Sequence, residues 1–183
     1  MTARIVLLNG VGSAGKSSIA KALQAIARVP LLHVQMDAFL AMLPDAYMDH
    51  PDGLRFTIQD AQGFPEVAIH SGPVLQRVMQ GMRHAIAAMA AHGNDMIVDE
   101  VMIGTKSLDY QRLLAPFQLF RVGVFAPLEV LEARERDRGD RLIGLARWQY
   151  PRVHRDQLYD LEVDTGTMTP EACASAIAAR FGL

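Results

Sequence analysis

The chain has 183 residues, 50% of them apolar, and a formal net charge of -2 at pH 7. This length and apolar content are typical of a single compact domain, which buries roughly 70% of the surface that its unfolded chain exposes. The slightly negative charge argues against a nucleic-acid binder, because such proteins present a broad basic face to the phosphate backbone. No apolar run approaches the ~20 residues that span a bilayer, no signal peptide is visible, and Cys173 is the only cysteine, so we expect a cytoplasmic protein without a membrane partner.

A glycine-rich turn follows the first predicted strand, which covers residues 4–9. Residues 10–17 fit the phosphate-binding pattern Gly-x-x-x-x-Gly-Lys-Ser/Thr and precede a predicted helix over residues 16–27. Such a loop wraps a polyphosphate with backbone N–H groups at the positive end of a helix, and glycines permit the close approach. The alternative is a turn that binds nothing. We predict that the triphosphate of ATP is held by Gly10, Gly12, Ser13, Ala14, Gly15, Lys16, Ser17 and Ser18.

Two side chains of this loop have predicted chemical roles. Lys16 is expected to contact the β and γ phosphates as a point charge, which makes it a catalytic candidate. Ser17 is expected to offer its hydroxyl to Mg²⁺. ATP and Mg²⁺ are therefore the predicted cofactors.

Asp37 directly follows the second predicted strand, residues 32–36. In a parallel sheet this position lies at the same carboxyl-end edge as the phosphate loop. A carboxylate there can bind the hydroxyl of an acceptor alcohol and act as general base while the γ-phosphoryl group transfers in line. Alternatively, Asp37 caps a helix that begins at Ala38, because Asp is a preferred N-cap residue. The spacing alone leaves both interpretations open.

The regular alternation of strands and helices breaks down between about residues 40 and 72. Prolines and glycines interrupt short apolar pieces there, and the segment is too long for an ordinary connection. We predict an insertion that forms the acceptor site; the alternative is a hairpin that only covers an edge of the sheet. Arg55 is the only Lys or Arg between Leu40 and Ile69, which favours an uncharged acceptor over a phosphorylated one.

The next regular elements supply a second acidic position. A long helix is predicted after Pro73, with an apolar face that consists of Val74, Val78, Met82, Ile86 and Met89. A strand over residues 95–98 then leads to Asp99 and Glu100. A carboxylate at the end of a buried strand is the expected partner of Mg²⁺ beside a phosphate loop, and Asp99 is the predicted one, with Glu100 as the alternative.

Further strands are predicted over residues 119–125 and 161–163, and a segment dense in arginine lies between them. We predict a lid over about residues 134–147, with Gly139 as a hinge, in which Arg134 contacts the nucleotide and other arginines close over the transferring phosphoryl group. A solvated helix face with i,i+4 ion pairs is the competing interpretation. The whole pattern predicts one α/β domain over residues 1–183, a three-layer P-loop kinase-like sandwich whose mainly parallel sheet has five strands.

The motifs resemble those of the chloramphenicol phosphotransferases, a family of small P-loop kinases. The matching segments, in chain order, are residues 5–10, 13–17, Asp37, residues 53–56, 97–101, 122–124, 134–135, 138–141 and 163–165. One departure is Asp99-Glu100, where the family pattern has two aspartates. The resemblance implies ATP-dependent phosphorylation of a small alcohol with Asp37 as base, and it favours Arg138 and Arg141 over Arg136 as lid contacts.

The resemblance also implies a biological output, the inactivation of a chloramphenicol-like antibiotic and hence resistance to it. Two other functions remain open from the residues themselves. One is a nucleotide or metabolite kinase of the same fold, for example one that acts on a sugar acid. The other is a nucleotide-dependent switch that has no acceptor, which would turn over slowly whatever alcohol is added.

Overall fold

The computed structural model describes residues 2–61, 63–139 and 142–183. The strands are β1 (Arg4–Asn9), β2 (Leu32–Gln35), β3 (Leu54–Ala61), β4 (Phe64–Ser71), β5 (Met96–Glu100), β6 (Gln118–Phe125) and β7 (Leu161–Asp164). The helices are α1 (Lys16–Ile26), α2 (Met36–Leu40), α3 (Pro73–Ala91), α4 (Lys106–Leu113), α5 (Leu128–Arg138), α6 (Leu145–Val153) and α7 (Pro170–Phe181), with a short 3₁₀ turn at Asp45–Tyr47.

Five of the strands form one sheet in the order β2-β5-β1-β6-β7, and every neighbouring pair is parallel. Helices cover both faces. Apolar side chains of α1 and α7 pack on one face, and those of α3 and α4 pack on the other. The predicted fold class, a three-layer α/β sandwich with a five-stranded parallel sheet, is confirmed.

The strand boundaries differ slightly from the predicted ones at two sites that bear on function. β2 ends at Gln35, one residue before the predicted end, because Met36 already begins α2. β5 extends to Glu100, two residues beyond the predicted end, because Asp99 and Glu100 remain in register with Leu8 and Asn9 of β1. Both acidic residues are thus part of the sheet itself.

The buried face of α3 is rotated relative to the predicted one near each end of the helix. Met82 and Ile86 are buried as predicted, but the fully buried apolar positions next to them are Leu75, Met79 and Ala90. The N-terminal half of α3 packs against Leu43 and Leu54 and not against the sheet. Its buried face therefore differs from the one predicted on the assumption that the whole helix packs on the sheet.

The segment between α2 and α3 contains the antiparallel hairpin β3-β4, a two-stranded sheet separate from the main one. Leu54 of the hairpin joins Leu43, Leu75 and Met79 in a third apolar cluster. On the other side β4 packs against α6, and Val67 N donates to the Gly144 carbonyl across 3.0 Å. The hairpin therefore joins α3 to α6 instead of extending an edge of the sheet. None of the helices in the described residues is long and apolar enough to cross a membrane.

Candidate active site

The glycine-rich loop occupies residues 10–15, between the end of β1 and the start of α1. Gly15 has φ +86°, a left-handed conformation that side chains with a Cβ rarely adopt. A Cβ on Gly10 would lie 2.5 Å from the carbonyl oxygen of Val124 in β6. These two glycines are needed for the tight turn and for the close approach of the loop to the sheet. The turn aims the N-terminus of α1, with its free N–H groups, at the space above the loop.

Lys16 is buried at the first position of α1, directly under the loop. Its Nζ donates to the carbonyl oxygens of Gly10 and Val11, at 2.9 and 3.0 Å, and lies 3.9 Å from Oδ1 of Asp99. The ammonium is therefore held at the centre of the loop. A phosphate bound in the loop would meet this charge with little rearrangement.

Asp99 is in contact with three polar side chains at the end of β5. Ser17 Oγ donates to Asp99 Oδ2 at 2.6 Å, and His33 Nε2 lies 3.4 Å from the same oxygen. Burial favours the neutral acid, but His33, Lys16 and Ser17 together outweigh it, so the pKa of Asp99 lies below its usual range. The carboxylate is charged at neutral pH and adjacent to the Ser17 hydroxyl, an arrangement suited to a divalent cation.

Glu100 points to the opposite side of the sheet, because successive residues of a strand face opposite ways. Its Oε1 accepts from Arg83 at 2.8 Å and its Oε2 accepts from the Tyr110 hydroxyl at 2.6 Å, and the side chain is fully buried. The geometry thus brings Asp99, and not Glu100, to the Ser17 hydroxyl. The role of Asp99 toward the metal itself stays a prediction.

The loop and the space above it have the features that a bound triphosphate needs. Ser13 has φ +64°, and its buried Oγ has no hydrogen-bond partner among the described residues. A cavity of about 670 Å³ lies above the loop and α1. The polar residues that line it include Gly12, Ser13, Gly15, Lys16, Ser17, Ser18, Asp37, Asp99, Arg134, Arg138 and Thr165. An unpartnered hydroxyl, a buried ammonium and a helix N-terminus around one cavity fit a polyphosphate, and Ser17 with Asp99 fit its Mg²⁺.

Arg134 of α5 forms part of the wall of this cavity. Its guanidinium donates to Oγ1 and to the carbonyl oxygen of Thr165, at 2.9 and 2.7 Å. The Thr165 hydroxyl in turn donates to the carbonyl oxygen of Ala14 in the loop. Arg134 is thus fixed relative to the phosphate loop through one intermediate residue.

Asp37 is the second residue of α2 and is exposed to solvent. The N-cap of this helix is Gln35, and Asp37 lies inside the helix at its second position, so Asp37 is not the cap of a helix that begins at Ala38. It lines the cavity above the phosphate loop and also a second cavity.

The second cavity has a volume of about 640 Å³ and walls that are mainly apolar. Its apolar lining residues are Met36, Leu40, Met48, Leu54, Phe56, Ile69, Leu75, Met79, Val101, Ile103, Leu142, Leu145 and Trp148. Its polar lining residues are Asp37, Ser71, Lys106, Arg138 and Gln149. Four residues, Met36, Asp37, Val101 and Arg138, line both cavities. The two cavities therefore adjoin at Asp37 and Arg138.

The predicted arginines of the lid segment are placed differently from one another. Arg138 ends α5 and lines both cavities, whereas Arg136, on the same helix, lines neither. Arg141 lies outside the described residues. Glu135 accepts from the backbone N–H groups of Gly144 and Ala146, at 2.8 Å each, and so attaches α5 to the start of α6. A lid motion of residues 134–147 stays a prediction.

Several residues around the site were not found by sequence reasoning. Gln149 of α6 is buried, accepts from Gly12 N at 2.7 Å and lines the second cavity. Lys106 and Trp148 also line that cavity, although both lie outside residues 40–72. Arg55, the cation noted in that segment, is exposed and is not a lining residue. His33 of β2 faces the same side of the sheet as Gln35, which pairs with Asp99, and no local sequence pattern marks this pairing of β2 with β5.

Comparison with known proteins gives a consistent result along the chain. Residues 3–182 match the family described as chloramphenicol phosphotransferase-like protein. Two proteins of Mycobacterium tuberculosis, from strains CDC 1551 / Oshkosh and ATCC 25618 / H37Rv, carry the name "Putative O-phosphotransferase". Each is 34% identical over 173 residues, which cover 91% of this chain and 76% of the relative.

Solved structures of small kinases share the fold. An APS kinase of Mycobacterium tuberculosis in complex with AMPPNP and APS matches with a TM-score of 0.69 at 14% identity, over 100% of this chain and 99% of that one. A gluconokinase of Sinorhizobium meliloti 1021 matches with a TM-score of 0.61 at 19% identity, over 98% and 91%. At these identities the matches show a P-loop kinase fold.

Proposed function

Because the chain belongs to the chloramphenicol phosphotransferase-like family, and is thus a phosphotransferase, we propose that it transfers the γ-phosphoryl group of ATP to a hydroxyl of a small molecule. The phosphate loop and Arg134 would hold the nucleotide, and the second cavity would hold the acceptor. The predicted insertion, residues 40–72, would form one wall of this acceptor cavity, because Met48, Leu54, Phe56 and Ile69 line it.

The observation that supports this proposal most strongly is the junction of the two cavities at Asp37 and Arg138. A kinase needs donor and acceptor sites that meet at one point, with a proton acceptor on the side of the alcohol. A nucleotide-dependent switch needs only the first cavity. The presence of a second cavity of similar volume, joined at a carboxylate, favours transfer over simple hydrolysis.

The chain's own residues would divide the work as follows. Lys16 would hold the β and γ phosphates, and Ser17 and Asp99 would hold Mg²⁺, which neutralises developing charge on the phosphates when bound. Asp37 would accept the proton of the acceptor hydroxyl. The hydroxyl oxygen would form a bond to the γ-phosphorus of ATP while the bond between that phosphorus and the oxygen that leaves with ADP breaks. Arg138, and Arg141 with it, would neutralise the charge on the transferring group.

The first acceptor class that we propose is a chloramphenicol-like antibiotic, an apolar alcohol without charge. The mainly apolar walls of the acceptor cavity support it, since binding would bury an apolar body. Phosphorylation would then inactivate the drug, and the cytoplasm, where ATP is abundant, would be the site of action.

A second acceptor class is favoured by one observation, the ammonium of Lys106 in the cavity wall. The prediction of an uncharged acceptor depended on cations within residues 40–69, and Lys106 lies beyond them. A hydroxy acid, as in a sugar-acid type metabolite kinase, would pair its carboxylate with this ammonium. A nucleic-acid acceptor is not proposed, given the net charge of -2.

Mass spectrometry of reaction products tests the proposal. Purified protein is incubated with ATP, Mg²⁺ and either chloramphenicol or a panel of hydroxy acids. We expect one alcohol to gain the mass of one phosphoryl group, with ADP in equal amount. Formation of ADP without any phosphorylated alcohol across the panel would favour the switch and exclude the kinase.

A further inference from the structure

The acceptor cavity continues into a smaller cavity of about 220 Å³ on the side of α3 and α4. Ser71, Met79 and Lys106 line both of them. The other residues that line the small cavity are polar or charged: Gln76, Gln80, Arg83 and Asp109. The acceptor cavity is thus bounded by Asp37 where it meets the nucleotide cavity and by Lys106 where it meets this polar one.

Lys106 is the first residue of α4, and its side chain is partly buried. Among the residues that the structure describes, its ammonium group has no hydrogen-bond or ion-pair partner. The walls around it in the acceptor cavity are mostly apolar. An ammonium in such surroundings retains unused donor capacity that a ligand can fill.

The buried carboxylate whose charge acts on Lys106, that of Glu100, is already engaged by two other side chains. Arg83, only 5% exposed, donates to it at 2.8 Å, and the Tyr110 hydroxyl donates at 2.6 Å. The side chain of Asp109, which lies 3.6 Å from Arg83 Nη1, is 43% exposed, so solvent weakens its effect. Arg83 thus pairs with Glu100 and Asp109, whereas no described carboxylate forms an ion pair with the partly buried Lys106.

The pKa of Lys106 reflects mainly its burial. Burial lowers the pKa of its ammonium below the ordinary value, although Glu100 opposes the shift, and Arg83 adds to it. An anion bound beside the ammonium would favour its charged form, which burial disfavours.

Of the two acceptor classes named above, we propose that the charged one is the substrate: the acceptor is an alcohol that also carries a carboxylate, and Lys106 binds this carboxylate while the hydroxyl lies at Asp37. The inference rests on the proposed phosphotransfer and adds to it the class of acceptor and a residue that determines specificity. One free ammonium matches one negative charge, which fits a carboxylate better than a phosphate dianion. The apolar walls between the two ends would hold the body of the molecule.

Binding of two small probes tests the anion site without any need for turnover. Benzoate and its neutral counterpart benzamide are titrated calorimetrically into protein saturated with Mg²⁺ and AMPPNP, so that the phosphate loop is filled and does not bind the anion. We expect benzoate to bind more tightly than benzamide, and the Lys106→Met variant to lose at least about tenfold in benzoate affinity.

Two further variants serve as controls. Arg112→Met removes a cation on the same helix whose side chain is 69% exposed, and it should leave benzoate binding unchanged. Lys106→Arg retains the charge and should retain most of the affinity, which excludes a folding defect at this position. Equal binding of benzoate and benzamide, no binding of benzoate to the wild type, or equal benzoate affinity in the wild type and Lys106→Met would overturn the proposal.

Turnover separates this inference from the proposed function. With a hydroxy acid that is phosphorylated, Lys106→Met should raise KM for that acid at least about tenfold and change kcat less than about twofold. If a hydroxy acid is phosphorylated with the same KM by the wild type and by Lys106→Met, phosphotransfer stands and the carboxylate site is wrong. If benzoate binds through Lys106 but no alcohol is phosphorylated, the anion site stands and the proposed function is wrong.

Discussion

Asp37 is the residue on which the proposed chemistry depends most, since it lines both cavities. Asp37→Asn conserves shape but removes the proton acceptor. We expect acceptor phosphorylation to fall by about 10²- to 10⁴-fold, because general-base catalysis contributes on this scale. Calorimetry should give the same affinity for Mg²⁺-ATP as in the wild type. Undiminished transfer in this variant would show that Asp37 does not act as the base.

Asp99 and Glu100 are neighbours in sequence whose environments differ because they face opposite sides of β5. Asp99→Asn should weaken Mg²⁺-ATP binding by about tenfold or more, since it removes charge beside Ser17. Glu100→Gln should instead lower the free energy of unfolding by about 3 kcal/mol, because Arg83 loses its buried counter-charge. Nucleotide titrations and urea unfolding of both variants check the pair.

The contrast between these two variants is itself the control. The prediction fails if Glu100→Gln weakens Mg²⁺-ATP binding as strongly as Asp99→Asn does. It also fails if Glu100→Gln unfolds at the same urea concentration as the wild type. The charge of the buried Arg83 would then be balanced by a group other than Glu100.

At the scale of elements, the β3-β4 hairpin is expected to contribute to acceptor binding and not to nucleotide binding. Phe56 of β3 lines the acceptor cavity. Phe56→Ala should raise KM for the alcohol substrate by about tenfold, because the substitution removes a large apolar contact. KM for ATP should not change. The matched control is Ile58→Ala in the same strand, since Ile58 is 71% exposed and does not line the cavity; an equal effect of both variants would contradict the assignment.

The end of α6 makes the stability of the protein depend on pH. His154 follows this helix, stacks on Phe125 with ring centroids 3.9 Å apart, and has Nδ1 2.7 Å from the Tyr159 hydroxyl. Burial lowers the pKa of His154 to about 4, and Lys16 acts in the same direction. In the unfolded chain the pKa of this histidine has its ordinary value near 6.5. As the pH falls from about 6.5 toward 4, the unfolded chain therefore binds a proton at this residue more readily than the folded protein does. This residue therefore stabilises the fold above pH 6.5 and loses that contribution in acid.

His154→Gln tests this pH dependence. Lowering the pH from 7.5 to 5 should reduce the free energy of unfolding of both proteins. The reduction should be smaller by about 1 kcal/mol in the variant, a figure that allows for the partial exposure of His154. Urea unfolding at the two pH values measures the difference. His92→Gln, at an exposed position after α3, should behave as the wild type; a wild-type pH response in His154→Gln would mean that other groups cause it.

At the scale of the whole molecule, the nucleotide half of the candidate site could be predicted from the sequence and the acceptor half only in part. Residues 10–17 are contiguous, so their pattern alone specifies the turn and its donors. Asp99 was found because it follows an apolar run at the end of a central strand. These signals lie within short stretches of sequence, so they can be recognised without knowing how the helices pack.

The acceptor cavity instead combines residues from α2, the hairpin, α3, α4 and α6. Gln149 contacts Gly12 across 137 positions of sequence, and no local pattern marks it. Lys106 looks like an ordinary first residue of a helix until the packing of α4 beside α3 places it in a cavity wall. Tertiary packing, which periodicity does not specify, decides which side chains meet there.

If the two adjoining cavities hold the nucleotide and the acceptor, phosphoryl transfer depends on an acceptor alcohol. The most direct measurement is the rate of ADP release from Mg²⁺-ATP, with and without a saturating alcohol that the product screen identifies. We expect slow release without the alcohol, a large increase with it, and one phosphorylated alcohol per ADP. Release at the same rate with and without the alcohol would contradict this expectation.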